Sequence, residues 1–231
     1  MASRPAQWDL EVDVLSVGSG LGGLSSAIVA HDAGKKVAVL EKAPKLGGVC
    51  AYSGGEVFVP GNHKMREEGV AEAEGGGQPY FQFLSGGYND KELLRKLLEV
   101  GPQAAEYFEE NAGLKWKIIK NFPDYHHPHA PGTLPHGRYL EVEMFDGKEL
   151  GEWQQKVYSS PHMPLGITHD ELFSWGGLSN ILLWDFNLMG SRIMADQRGF
   201  GPGMMAYFVK AAMLERGIPA YLNCPAVELV V

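Results

Sequence analysis

Short apolar runs and glycine clusters alternate along the first part of the chain. Val12-Asp13-Val14-Leu15-Ser16-Val17 reads as a strand and breaks at Gly18-Ser19-Gly20-Leu21-Gly22-Gly23. The small, apolar stretch from Leu24 to Ala33 predicts a helix closed by Gly34, and Val37-Ala38-Val39-Leu40 predicts a second strand that stops at Glu41. Asn62 to Tyr88 is polar and loose, with a short helix expected near Phe81 to Leu84. After Asn89 or Asp90, either a candidate N-cap, Lys91 to Leu98 predicts an amphipathic helix. A second helix is expected after Gly101-Pro102, running through Ala104, Ala105, Tyr107 and Phe108 to Gly113. Trp116 to Ile119 suits a strand. Gly201-Pro202-Gly203 leads into a helix from Met204 to Arg216, with strands expected at Ile218 to Leu222 and from Ala226 to Val231.

Strand, glycine turn, helix, strand and carboxylate follow the order of a dinucleotide-binding βαβ unit, so the fold class is α/β with a Rossmann-like sheet. Gly18 permits a sharp turn off the strand, Gly20 lets backbone approach a pyrophosphate, and Gly23 lets the helix pack on the strand. Leu21 and Gly22 complete the turn, where helix N–H groups and the positive dipole end face a phosphate. Glu41, eighteen residues after Gly23, is placed to accept ribose hydroxyls, and its charge disfavours a 2′-phosphate. An ordinary βα turn would share the glycines; the flanking strands and the acid favour the nucleotide.

The chain then runs Lys42-Ala43-Pro44-Lys45-Leu46-Gly47-Gly48-Val49-Cys50-Ala51-Tyr52-Ser53-Gly54-Gly55. A minimal NAD unit has no use for such a loop, which can lie extended along a larger ligand. This stretch resembles the E-K-x-x-x-x-G-G-x-x-x-x-S-G-G pattern of the fumarate reductase and succinate dehydrogenase flavoprotein superfamily. Ala51-Tyr52-Ser53-Gly54 with Pro60-Gly61-Asn62 is similar, more narrowly, to the FAD-dependent 3-ketosteroid dehydrogenases. Phe122-Pro123-Asp124-Tyr125, then Gly137-Arg138 and Asp146-Gly147-Lys148-Glu149-Leu150-Gly151, adds to that resemblance.

The resemblance implies non-covalent FAD, since no histidine stands between residues 47 and 55 for covalent attachment. It implies a glutathione-reductase-like FAD domain with an inserted helical, substrate-capping region, and contacts from Gly18, Gly20, Leu21, Gly22, Gly23, Glu41, Lys42, Gly47, Gly48, Ser53, Gly54, Gly55 and Ala226. Residues 1–114 and 199–231 are expected to form the FAD domain and 115–198 the substrate side. The implied reaction is 1,2-dehydrogenation of a 3-ketosteroid: a hydride passes to flavin N5 and a proton to a tyrosine base, with Tyr125 the catalytic candidate. Where members often read D-Y-Y, this chain has Asp124-Tyr125-His126. A fumarate-reductase-like reductase of an activated alkene is the alternative. It needs cationic clamps, for which Arg138, Arg192 and Arg198 are the candidates. A non-catalytic flavin-binding chain is a third.

Composition narrows the partners. A net charge of −8 argues against nucleic acid. Two cysteines, Cys50 and Cys224, build no disulfide framework and point to a reducing, cytoplasmic setting. Met1 to Leu10 lacks the apolar centre of a signal peptide, and no run approaches the roughly 18 apolar residues of a membrane span. Four histidines between His126 and His136 invite a metal, but three prolines and a single nearby carboxylate, Asp124, favour a solvated loop and no metal. The stretch from Thr168 to Met194 is the most apolar. Burial within the capping region is expected; the alternative is a greasy surface docking on a membrane or a partner. The resemblance covers about half of the family's architecture, so the chain reads as truncated, or as one half completed by a complementary C-terminal chain. Alone, residues 1–231 are expected to be poorly soluble or oligomeric and to hold FAD weakly.

Overall fold

The computed structural model describes residues 7–161 and 166–230. The first six residues, 162–165 within the substrate-side stretch, and Val231 lie outside that description, so the expectations for the extreme N-terminus and the last strand residue fall partly there.

The chain opens with β1 (Val14–Val17), α1 (Leu21–Asp32) and β2 (Val37–Leu40). β1 pairs with β2 in parallel, Val14 opposite Val37 and Val17 opposite Leu40. The helix starts at Leu21 rather than Leu24, so Leu21, Gly22 and Gly23 form its first turn. A 3₁₀ turn at Gly48–Tyr52 and β3 (Val57–Phe58) follow, then α2 (His63–Glu67), α3 (Gln78–Ser85) and α4 (Lys91–Ala112). The expected pair of helices after Asp90 is one. Pro102 sits inside α4 and removes one backbone bond. Leu94, Ala105, Phe108 and Ala112 nevertheless bury on a single face, and that packing carries the helix through Gly101-Pro102.

β4 (Trp116–Ile118) and β5 (Tyr139–Val142) join β3 in an antiparallel sheet ordered β3-β5-β4. β6 (Phe145–Asp146), α5 (His169–Ser174), α6 (Phe186–Met194) and β7 (Gln197–Arg198) follow, with β6 and β7 paired. Then come α7 (Phe200–Val209), widening into π turns over Lys210–Glu215, and β8 (Ala220–Tyr221). β8 pairs in parallel with β2, giving the order β1-β2-β8. α7 is buried along its whole length and ties α1, the glycine loop and β5 into one core.

Two expectations need correction. The Thr168–Met194 stretch is helical but not buried. Leu172, Trp184 and Met189 turn inward, onto Ile167 and Phe200, with Trp175 packed beside them, while Leu178, Leu182, Leu183, Phe186 and Met194 are exposed. The helices are too short, and the 3₁₀ segment at Leu178–Leu183 too irregular, to direct every apolar side chain to one small core. Ala226 to Val230 forms no strand, and Val227 and Leu229 are exposed. Within the described residues, no helix is long and apolar enough to cross a membrane.

Candidate functional site

A cleft of about 370 Å³ opens where the two strand ends meet the glycine loop. Gly18, Gly20, Glu41, Lys42, Gly48 and Ala226 line it, together with Ser19 and Cys224. Ala226 reaches the cleft because the chain after β8 folds back along β2: the Asn223 amide donates to the Ala43 carbonyl and the Cys224 amide to the Glu41 carbonyl.

The glycines are explained by contact. A Cβ at Gly23 would strike the Gly18 carbonyl, so any larger residue would lift α1 off the strand. At the mouth, the Cα of Gly20 is 3.3 Å from where a Cβ of Gly48 would stand; two bare backbones meet there. The N-terminus of α1 has neither a side-chain cap nor an acid in its first turn, and it leaves its N–H groups to a ligand. A cradle without side chains beneath an uncapped helix end fits a pyrophosphate.

Glu41 is 6% exposed and engaged within the protein. Its Oε2 accepts from the Ser19 amide at 2.9 Å and the Ser19 hydroxyl at 2.6 Å, and Oε1 accepts from the Ala43 amide at 2.9 Å. Burial opposes its ionisation, but the Ser19 hydroxyl and the two amides outweigh it and hold the carboxyl below its ordinary range. Ser19 Oγ also accepts from the Gly47 amide at 3.1 Å, so one hydroxyl joins the first glycine turn, the acid and the second glycine loop. Sequence reasoning missed Ser19; the visible signal was a hydroxyl inside a glycine motif that needs none. Leu21 points away, into a separate apolar cavity of about 310 Å³ that Phe58, Leu97, Pro102 and Phe108 also line.

Ser53, Gly54 and Gly55 lie beyond the cleft. Ser53 Oγ donates to the Cys50 carbonyl and accepts from the Gly55 amide, and the Gly201 amide at the start of α7 donates to the Ser53 carbonyl. The loop is thereby pinned on α7.

Tyr125 is 61% exposed and belongs to an aromatic wall. Phe122 stacks on Phe173 at 4.7 Å and tilts onto Tyr139 at 4.6 Å; Tyr125 lies 5.8 Å from Tyr139 and 6.2 Å from Phe122. Its backbone is fixed on both sides. The Tyr80 hydroxyl donates to the Tyr125 carbonyl, and Arg138, fully buried, donates to Asp124 Oδ2 at 2.5 Å and also pairs with Glu72. Burial pushes the Tyr139 phenol far up, reinforced by Tyr125, Tyr80 and Asp124; it stays protonated. His126 packs edge-on against Phe83.

Among the described residues, the one group with ligand spacing is His63, Glu67 and Glu109. The Lys64 ammonium already stands there, 3.0 Å from Glu67 and 2.9 Å from Glu109, in the place a cation would take.

A protein-family profile described as FAD binding domain matches residues 13–231. The chain belongs to that family. FAD is its cofactor, held in a mixed α/β fold. Among curated proteins the chain is 33% identical over 204 residues to 4-oxocyclohexanecarboxylate 2-dehydrogenase of Sinomonas cyclohexanicum, covering 88% of this chain and 34% of that protein. It is 35% identical over 141 residues to 3-oxosteroid 1-dehydrogenase of Mycobacterium tuberculosis, covering 61% and 25%. Among solved structures, the 3-ketosteroid delta1-dehydrogenase from Sterolibacterium denitrificans, in complex with 1,4-androstadiene-3,17-dione, superposes with a TM-score of 0.77 at 30% identity, over 93% of this chain and 40% of that one. An open-conformation flavocytochrome c3 fumarate reductase shares the fold, with a TM-score of 0.55 at 20% identity over 95% of this chain and 28% of that one. The chain thus spans about a quarter to a third of the length of these curated relatives.

Proposed function

We propose that this chain is the flavin-binding portion of a dehydrogenase that introduces a carbon–carbon double bond beside a ring ketone, with a 3-ketosteroid as substrate. The relatives' names support the class, because each pairs an oxo-substituted ring with a dehydrogenation. The observation that carries the steroid reading is the aromatic wall of Phe122, Tyr125, Tyr139 and Phe173. A flat apolar ring system finds a matching surface there.

When bound, FAD supplies the hydride acceptor. Gly18, Gly20, Leu21, Gly22 and Gly23 would hold its pyrophosphate, Glu41 its ribose, Lys42 and Ala226 the nucleotide end, and Gly47, Gly48, Ser53, Gly54 and Gly55 the remainder. The Tyr125 side chain, as tyrosinate, would take the proton from the carbon acidified by the neighbouring carbonyl and become the neutral phenol. Asp124 and Arg138 hold its loop, and Tyr139 stays protonated, a hydrogen-bond donor and not a base.

The arginines weigh against the reductase of a dicarboxylate. Arg138 is paired with Asp124 and Glu72, Arg192 with Glu171, and Arg198 with Asp196. Each candidate clamp already has its carboxylate. For the same reason the steroid is favoured over a ring that bears a carboxylate.

The remaining length of the relatives, in the same or a second chain, is part of this proposal. The experiment assays the chain together with that segment, an artificial electron acceptor, and either a 3-ketosteroid or 4-oxocyclohexanecarboxylate. Turnover of the steroid is expected, and Tyr125→Phe is expected to lower it at unchanged FAD content. A fully active Tyr125→Phe variant removes Tyr125 from the chemistry. FAD bound without turnover of either ketone would favour a non-catalytic chain.

A further inference from the structure

Glu56 follows Gly55 directly, and its carboxylate turns back over Gly54. There Glu56 Oε1 lies 2.8 Å from Nε2 of His169. The other ring nitrogen, Nδ1, lies 3.2 Å from Oε2 of Glu141 on β5. One imidazole therefore joins the end of the glycine loop, the first turn of α5 and the β3-β5-β4 sheet. Carboxylates accept but do not donate, so both contacts are satisfied together only when both ring nitrogens carry protons.

The surroundings hold this ring in place. His169 is 5% exposed, with Phe200 edge-on at 4.3 Å and Phe173 stacked at 6.4 Å. Glu141 also accepts the backbone amides of His169 and Asp170, at 2.7 and 3.0 Å. From β4, Lys117 Nζ lies 3.2 Å from Glu141 Oε1 and donates to the Thr168 hydroxyl. The charged groups around the imidazole are thus Glu56, Glu141 and Lys117, with the Tyr139 phenol in the field of Glu56. Arg192 of α6 is paired with Glu171 on α5 and adds nothing at the ring. With His169 protonated, two cations face two anions. Without that proton, a net negative charge is left in a buried place and one carboxylate faces a ring lone pair.

We propose that His169 is a positioning residue for the flavin loop: its imidazolium clamps Glu56 and holds Gly54-Gly55 against α5 in the arrangement that receives the cofactor. The proposal rests on the reading that the Gly47–Gly55 loop cradles FAD. Burial opposes the charged ring, and the contacts with Glu141 and Glu56 outweigh it, so His169 titrates above the ordinary histidine range. For a group raised in this way the clamp is fully closed below the ordinary histidine value and opens as pH rises through the raised one. FAD affinity falls in that same window.

The test runs at micromolar protein and follows three quantities between pH 5.5 and 9.5. Exchange of the imidazole C2 hydrogen, read by mass spectrometry, gives the midpoint of His169. Amide exchange in a peptide spanning residues 47–57, normalised to the unfolded peptide, gives the state of the loop. Quenching of flavin fluorescence gives FAD affinity. The expected result is that loop protection and FAD affinity both fall several-fold with the midpoint of the ring. Glu56→Gln should lower that midpoint and uncouple the loop from it. His169→Gln should hold the loop open at every pH, and His169→Lys, which keeps the positive charge, should restore protection without the pH dependence. A loop whose exchange ignores the ring titration overturns the clamp. A loop that follows the ring while FAD affinity does not overturns it as a cofactor device. Failure of the flavin-loop reading looks different: Gly48→Val then leaves FAD affinity unchanged, while the coupling of ring and loop persists.

Discussion

At the scale of single residues, the site rests on groups that do two jobs. Glu41 lines the nucleotide cleft and also accepts three hydrogen bonds from Ser19 and Ala43. On the proposed reading, removing its carboxylate leaves the ribose hydroxyls as well as the Ser19 amide without their acceptor, and charged hydrogen bonds are worth about 1.5–3 kcal/mol each. Glu41→Ala is therefore expected to weaken FAD binding by about 1–3 kcal/mol, roughly 5- to 150-fold by titration of flavin fluorescence. Ser19→Ala separates the two jobs. If Ser19 organises the cleft it too weakens FAD, by about 1 kcal/mol; unchanged affinity would assign Glu41 to the ribose alone. The difference in legibility between these residues is physical. Gly18, Gly20 and Gly23 answer to constraints a few positions away, so the motif announces them. Ser19 meets its partners at Glu41 and Gly47, and His169 meets Glu56 and Glu141. Such pairings leave no periodicity to read.

At the scale of elements, local pattern predicted type well and boundaries less well. β1, α1 and β2 were legible because period, turn and length agree. Gly101-Pro102 is a strong local breaker and predicts two helices, yet one buried face overrides it and α4 is continuous. β8 and the stretch after it share an apolar composition, but only Ala220–Tyr221 finds a partner strand. The ends of α1, α4 and the α7 extension meet at one polar knot. Asp32 takes two bonds from Arg216, at 2.7 and 2.8 Å, and one from the Tyr107 hydroxyl at 2.6 Å. The Arg216 bond is the main cause that holds the Asp32 carboxyl far below its ordinary value of 3.8, against burial, with Tyr107 and His31 assisting. Tyr107 is pushed up to about 12 by burial and by Asp32. A depressed carboxyl stabilises the fold above its unfolded pKa, and that contribution fades as pH falls below about 3.8. Asp32→Asn is expected to lower stability by about 1–2 kcal/mol at neutral pH, read as a lower urea midpoint at unchanged slope. The gap to wild type should narrow below pH 4; a gap independent of pH would show that the knot acts by shape rather than charge.

At the scale of the whole molecule, the surface is uneven. Leu178, Leu182, Leu183, Phe186 and Met194 gather on the segment from the 3₁₀ turn through α6, and they range from 56% to 93% exposed. Val227 and Leu229 are 90% and 87% exposed, and Leu15 and Val17 are open on β1, an outer strand of its sheet. The sequence could not separate this outcome from burial, because composition fixes how apolar a stretch is and not which side of it meets a core. An isolated exposed leucine needs no explanation, but contiguous apolar residues of this kind drive association. Net charge of −8 opposes association only at long range and is screened beyond about 10 Å at 0.1 M salt. Residues 1–231 are therefore expected to self-associate at micromolar concentration, and more strongly as salt is raised. Replacing Leu182 and Leu183 together by lysine removes exposed apolar area from this segment and keeps Trp184 and Met189, which face the small core, and Phe186, whose ring lies 6.3 Å from that of Trp184. Sedimentation velocity should show the double variant shifted towards monomer with an unchanged melting temperature. A wild-type chain that sediments as a monomer at every salt concentration would mean that these side chains cover one another in solution, and the face would then be no association surface.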